Sequence, residues 1–92
     1  MNKPDKLNDF LVVRTLAEAA LEEAKTQVGR FETFIDWDHL AVTLVRRWED
    51  ETGEHGWEIL IQQASGDAYD LQEFVEERMS EAGISAHVVT EW

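Results

Sequence analysis

Four carboxylates, Asp70, Glu73, Glu77 and Glu81, recur at intervals of three, four and four residues in the second half of a 92-residue chain. On an α-helix, at 100° per residue, they fall within about 80° of one another, and at 1.5 Å per residue they make a row about 16 Å long. Glu76 flanks the row, while Leu71, Val75, Met79 and Ala82 lie on nearly the opposite side. A solvated helix face ordinarily interleaves lysine, so that neighbours at i, i+4 attract. Here only Arg78 occurs, beside the apolar face. Glu73–Glu77 and Glu77–Glu81 therefore repel by a few tenths of a kcal/mol each. A row that costs stability points to binding, and its chemistry is that of fixed negative charges facing a cationic surface. Phe74 lies about 40° from Asp70 on the wheel, beside the row, and Tyr69 on the other flank. A large aromatic among carboxylates has the make-up of an interface anchor with a polar rim. The competing readings are a plain solvated face for the row and the edge of a broad apolar arc for Phe74.

Other constellations offer less. His39, His55 and His87 lack i, i+4 spacing from one another. His55, in Glu54-His55-Gly56, could join Glu51 and Glu54 on a metal, but a solvated turn histidine explains it better. Asp36 and Asp38 lack the further oxygens, the central glycine and the closing glutamate of a calcium loop. No P-loop, Gly-x-Gly-x-x-Gly or Gly-x-Ser-x-Gly pattern occurs. Ser65-Gly66-Asp67 reads as turn and cap chemistry, so the expectation is a non-enzyme with no cofactor and no metal.

Charge sharpens the reading. Residues 1–46 hold eight acids and six bases, whereas residues 47–92 hold twelve acids and only Arg47 and Arg78, out of a total of −12. Such a field opposes phosphate-backbone binding, so direct binding of nucleic acid is not expected. No run approaches the ~18–20 apolar residues of a membrane span. The absence of cysteine removes disulfides and thiolate metal sites and suits a reducing cytoplasm. At 43% hydrophobic residues with four Trp and four Phe, the chain is too apolar for an acidic disordered tail. One domain over residues 1–92 is expected.

The elements that must position these residues follow from periodicity. Phe10, Arg14, Ala17, Leu21, Ala24, Val28, Phe31 and Ile35 make a heptad-like stripe, widened early by Leu7, Val13, Leu16 and Ala20. It predicts one helix over about residues 6–35, entered near Pro4 with Asp5 or Asn8 as N-cap, and kinked or broken at Gly29 so that Phe31 to Ile35 form a connector. Asp36 to His39 reads as a turn or a helix cap. Residues 40–49 fit a helix face through Trp37, Leu40, Ala41, Leu44, Val45 and Trp48, but β-branched residues and the turn signal Glu51-Thr52-Gly53-Glu54 favour a hairpin with the strand Trp57 to Gln63. Pivoting at residues 52–53 pairs Trp48 with Trp57, Arg47 with Glu58, Val45 with Leu60 and Leu44 with Ile61. Asp67 then caps a helix over residues 67–82, Asp70 completes a shortened capping box, Gly83 is the left-handed C-cap, and residues 84–91 form a last strand with His87 on a polar or edge face. The fold class is α+β, in the order α-β-β-α-β, with about three strands covered on one face by helices.

The commonest strongly basic surfaces in a cell bind nucleic acid, and spaced carboxylates on a rigid scaffold can replace phosphates there. In its 92 residues, its charge of −12, its lack of cysteine and its row Asp70, Glu73, Glu77, Glu81, the chain resembles the small acidic anti-defence proteins of phages and plasmids, the anti-restriction DNA mimics and anti-CRISPR proteins. That resemblance implies stoichiometric inhibition of a nuclease or RNA-guided complex in a host cytoplasm, by occupying a basic groove through Asp70, Glu73, Phe74, Glu76, Glu77, Glu81 and Tyr69. The alternative makes the stripe over residues 10–35 a dimer seam in a regulator or an antitoxin or immunity-type protein.

Overall fold

The computed structural model describes residues 6–92, with side chains from Phe10 onward. Helix α1 (Lys6–Lys25) leads through a 3-10 turn (Val28–Arg30) and a connector to strand β1 (Ala41–Glu49). Strand β2 (His55–Gln62), helix α2 (Tyr69–Glu81) and strand β3 (Ala86–Glu91) follow. The sheet order is β1-β2-β3, antiparallel in the first pair and parallel in the second. The domain is thus α+β in the expected order. Pro4 and the expected cap Asp5 lie outside the described residues, as do the side chains of Leu7 and Asn8; Asn8, the other expected cap, lies inside α1 and so is not its N-cap.

Alternation dictates the layering. Val42 and Val45 of β1, Ile59 and Ile61 of β2, and Val88 and Thr90 of β3 are buried on one side of the sheet. α1 supplies Val13, Ala17, Ala20, Leu21 and Ala24 to this core, and α2 supplies Leu71, Phe74, Val75 and Met79. The other side carries Leu44, Arg46 and Trp48, then Glu58, Leu60 and Gln62, then His87, Val89 and Glu91, all exposed or half-exposed. The stripe's one polar member is accounted for, because Arg14 Nη2 donates to the Val42 carbonyl at 3.0 Å and ties α1 to β1. Buried Thr90 is satisfied as well: its hydroxyl donates to the Ser65 carbonyl (2.6 Å) and accepts from Gln72 Nε2 (2.8 Å).

Helix α1 ends at Lys25, earlier than the stripe suggested. Thr26 turns its hydroxyl onto the Glu23 carbonyl at 2.6 Å, and the amides of Thr26 and Gln27 bond three residues back. The chain tightens there because a threonine side chain competes for a backbone acceptor. The break is therefore at Thr26-Gln27, and Gly29 does not make it. Val28 falls on the exposed side, while Phe31 returns to the core at the start of the connector.

Residues 40–49 form the strand rather than the helix, but the hairpin register differs from the expected one by a residue. Arg47 faces Trp57, Arg46 faces Glu58 with their side chains paired, Val45 faces Ile59, and Trp48 faces Gly56. The five-residue loop 50–54 sets this. Asp50 Oδ1 accepts from the Thr52 hydroxyl (2.7 Å) and from the amides of Thr52 (2.9 Å) and Glu54 (3.0 Å), and Gly53 adopts φ +88°. The Thr52 hydroxyl, and less so the amides, outweigh the cost of burial and hold the Asp50 carboxyl below its ordinary value. An odd-length loop shifts the pairing, and one step of slip exchanges the faces. Trp57 thus turns to the core, edge-on to Phe10 at 6.0 Å, while Trp48 lies on the open face. The Trp48 indole covers Gly56, where a Cβ would come within 2.9 Å of the ring. A bulge at Thr43, between Val42 and Leu44, brings two core valines to a spacing of three.

Leu21 is 3% exposed and Leu44 is 42% exposed. Leu21→Ala is expected to cost about 2–5 kcal/mol of unfolding free energy, and Leu21→Asp to abolish the cooperative transition, because a charge would be buried unpaired. Leu44→Ala should cost under about 1 kcal/mol. Urea titrations of the three variants check the layering; equal effects at Leu21 and Leu44 would refute it.

Candidate functional site

Helix α2 is stopped as the sequence indicated and started differently. Gly83 takes φ +81°, its amide bonds the Ser80 carbonyl (2.9 Å), and the Ile84 amide bonds that of Met79 (2.9 Å). This is a Schellman ending, with Ile84 packed against the core. At the other end Ala68, not Asp67, occupies the N-cap, and no side chain caps it. Asp67 instead accepts from the Ser65 hydroxyl within its own turn.

Asp70 does not complete a capping box. Its carboxylate reaches across to the connector, accepting the Glu32 amide at Oδ2 (2.9 Å) and the Thr33 hydroxyl at Oδ1 (3.0 Å), besides the Leu71 amide (2.8 Å). Burial opposes ionisation, but these donors prevail and hold the Asp70 carboxyl below its ordinary value. Asp70 is a tether between α2 and the connector rather than a free member of the acidic row.

Glu76 is likewise engaged. Its Oε2 accepts the Val88 amide at 2.8 Å and stands 3.7 Å from His87 Nδ1. Val88 belongs to an edge strand, so this carboxylate occupies an amide that would otherwise be open to a foreign strand.

Phe74 is 3% exposed and belongs to the core. It packs edge-on against Phe31 (5.5 Å between centroids), with the guanidinium carbons of Arg78 and Arg30 lying 4.6 and 5.0 Å from its ring centre. The expected interface anchor is therefore a structural residue. The apolar arc of α2 is wide because Phe31, from the connector, closes over its edge.

Arg78 explains why so acidic a helix can dock. It donates to Glu23 through Nε (2.9 Å) and Nη2 (3.0 Å), binding α2 to α1, and approaches Glu81 at 3.6 Å. The hydrogen bond from Arg78 holds the Glu23 carboxyl below its ordinary value and raises Arg78 further.

Glu73, Glu77 and Glu81 remain, all exposed and spaced by four. Successive members rise by about 6 Å along a helix fixed at both ends. Among the described residues Glu73 and Glu77 have no cation within 4 Å. Tyr69 is exposed at the first turn of the same helix. Neither a family model, nor a curated protein, nor a solved structure matches this chain. The reading of the site rests on its geometry.

Two further surfaces lay outside the sequence reading. The side of α1 turned from the core exposes Leu11 and Val12 beside Thr15 and Leu16. Phe34, Trp37 and Trp92 surround a cleft beside Asp36 and Asp38. The aromatics at 31, 34 and 37, spaced by three in a segment read as a connector, were the available signal for the second. Among the described residues no three of His, Asp and Glu converge as metal ligands, and no helix is long and apolar enough to cross a membrane.

The depressed Asp70 carboxyl gives a signed pH dependence. A carboxyl with a folded pKa below its unfolded value of about 3.9 contributes stability fully above that value and loses it as pH falls through the folded pKa. Asp70→Asn should lower stability at pH 7 by about 1 kcal/mol through the weakened hydrogen bonds. Denaturant midpoints between pH 7 and pH 2 should show the difference between variant and wild type shrinking below about pH 4. A constant difference would mean that Asp70 is not held ionised by its donors.

Proposed function

We propose that this protein is a non-catalytic inhibitor that occupies a basic nucleic-acid-binding surface of another protein or ribonucleoprotein, as phage and plasmid anti-defence proteins do in a host cytoplasm. The observation carrying this reading is the open row Glu73, Glu77 and Glu81 on a helix held rigid by Asp70, Arg78 and the Gly83 ending. Glu73 and Glu77 have no cation within 4 Å among the described residues and Glu81 meets Arg78 only at 3.6 Å, so the row presents a largely uncompensated field, which steers encounter with a basic groove and competes there with phosphates. The contact surface is narrower than the sequence suggested: Glu73, Glu77, Glu81 and Tyr69 face outward, while Asp70, Glu76 and Phe74 hold the helix.

A dimeric regulator is the second reading, on a different surface from the one expected. The stripe Ala17, Leu21, Ala24, Phe31 is buried within the protein's own core. A self-association seam on α1 would therefore use Leu11, Val12, Thr15 and Leu16. Sedimentation of wild type and Leu11→Asp separates the readings: inhibition by a monomer supports the first, and a stable dimer lost in the variant supports the second.

The direct test replaces Glu73, Glu77 and Glu81 together by Gln. The fold should be unchanged or a few tenths of a kcal/mol more stable, because like charges at i, i+4 are relieved. Proteins retained on the immobilised wild type at low salt and released at high salt are then assayed for binding to both forms. The triple variant should associate about tenfold more slowly at low ionic strength, with a flatter salt dependence. Wild type should displace duplex DNA from the retained protein while giving no gel shift of its own with DNA. Simultaneous binding of DNA and this protein by the partner would overturn the mimic.

A further inference from the structure

Where the connector meets the link between β2 and α2 and the end of β3, aromatic side chains stand in water. Phe34 is 70% exposed and Trp92 is 56% exposed, with their rings edge to face at 5.2 Å. Half-buried Trp37 stands on the same cleft, anchored from behind by Phe31 at 5.5 Å. The cleft holds about 570 Å³. Asp36 and Asp38 line it.

The walls are fixed by the main chain. The Asp36 amide donates to the Gln63 carbonyl (2.8 Å), the Gln63 amide to that of Glu91 (2.8 Å), and the Ser65 amide to that of Phe34 (3.0 Å). Gln63, also on the wall, is held at φ +77°, a conformation usually left to glycine. The two acids differ. Asp36 is occupied, with Oδ1 accepting the Asp38 amide (3.2 Å) and Oδ2 against His39 Nδ1 (3.0 Å). The Asp38 carboxylate is exposed and, among the described residues, has no cation within 4 Å.

Aromatic faces with an open carboxylate beside them select a cation over an apolar or anionic ligand. They select guanidinium over ammonium, because a planar and weakly hydrated group can stack on a ring while its edge donates to a carboxylate. The cleft is open and shallow, fitting a side chain offered by a partner's surface. We propose that it receives an arginine side chain of a protein partner, stacked on Trp92 or Phe34 and donating to Asp38. This rests on the basic-partner reading above and adds a second contact, separate from the row on α2.

Four tryptophans make the test internal. Indole N–H resonances are followed while N-acetyl-arginine amide, its lysine counterpart and its neutral citrulline counterpart are added. Trp92 and Trp37 should shift saturably with the arginine probe in the millimolar range expected of one cation–π contact with one ion pair, and Trp48 and Trp57 should not. The lysine probe should bind several-fold more weakly, and citrulline not at all. Asp38→Asn and Phe34→Ala, both at exposed positions, should each weaken the arginine titration several-fold. Equal movement of all four indoles, equal binding of citrulline, or no movement of Trp92 and Trp37 overturns the proposal. Tighter binding of free arginine than of the blocked probe overturns it in favour of a small-molecule site. The triple Gln variant of α2 should titrate as wild type does. Partner binding unchanged in the triple Gln variant, with the cleft titration intact, therefore condemns the acidic row alone, and slowed partner binding without any cleft titration condemns the cleft alone.

Discussion

The Arg78–Glu23 pair holds the two helices of this protein together, and it belongs to a wider scarcity of cations. Arg14 bonds the Val42 carbonyl, Arg30 and Arg78 flank Phe74, Arg46 pairs with Glu58, Arg47 lies over Trp57, and Lys25 pairs with Glu22. The arginines among them hold elements to one another, while Lys25 pairs within α1. With 20 acids against eight bases, most carboxylates must then face water. Some acids escape by finding backbone amides, as Asp50, Asp70 and Glu76 do. The acidic field is thus a residue of how the fold is assembled as well as of composition, and its open part includes Glu73 and Glu77, which have no cation within 4 Å among the described residues.

Element order was legible because it depends on local pattern. The alternation from Trp57 onward, the apolar spacing of α2 and the glycine at position 83 each act within a few residues. The hairpin register was not legible, because it depends on whether loop 50–54 has an odd or even length, and the Asp50 side chain decides that. The end of α1 depends on one hydroxyl, at Thr26, reaching a carbonyl that a helix wheel treats as already bonded.

The site was read too broadly for a related reason. A wheel places Asp70 and Phe74 correctly on α2 but assumes that only the far face meets other chain. The connector folds over the first turns of that helix, brings Phe31 onto Phe74, and offers the Glu32 amide and Thr33 hydroxyl to Asp70. Glu76 is removed in the same way by Val88. These contacts join residues 12 to 43 positions apart, and nothing in their spacing announces them. Glu73, Glu77 and Glu81 stay exposed because, among the described residues, no other segment covers that face.

Strand β2 is a member of both supersecondary units, the hairpin with β1 and the parallel crossover through α2 to β3. Its second partner lies 29 residues further along the chain. Closing so long a loop slows assembly relative to the hairpin, which is local. Once both are formed, the β2 amides are enclosed on either edge. They can exchange with solvent only when the hairpin or the crossover opens, and the core side chains Ile59 and Ile61 are common to both. The outer strands can fray singly, whereas opening at the centre dissolves the domain. The slowest-exchanging amides among the described residues are therefore expected in the eight residues His55–Gln62, with protection falling toward the outer strands.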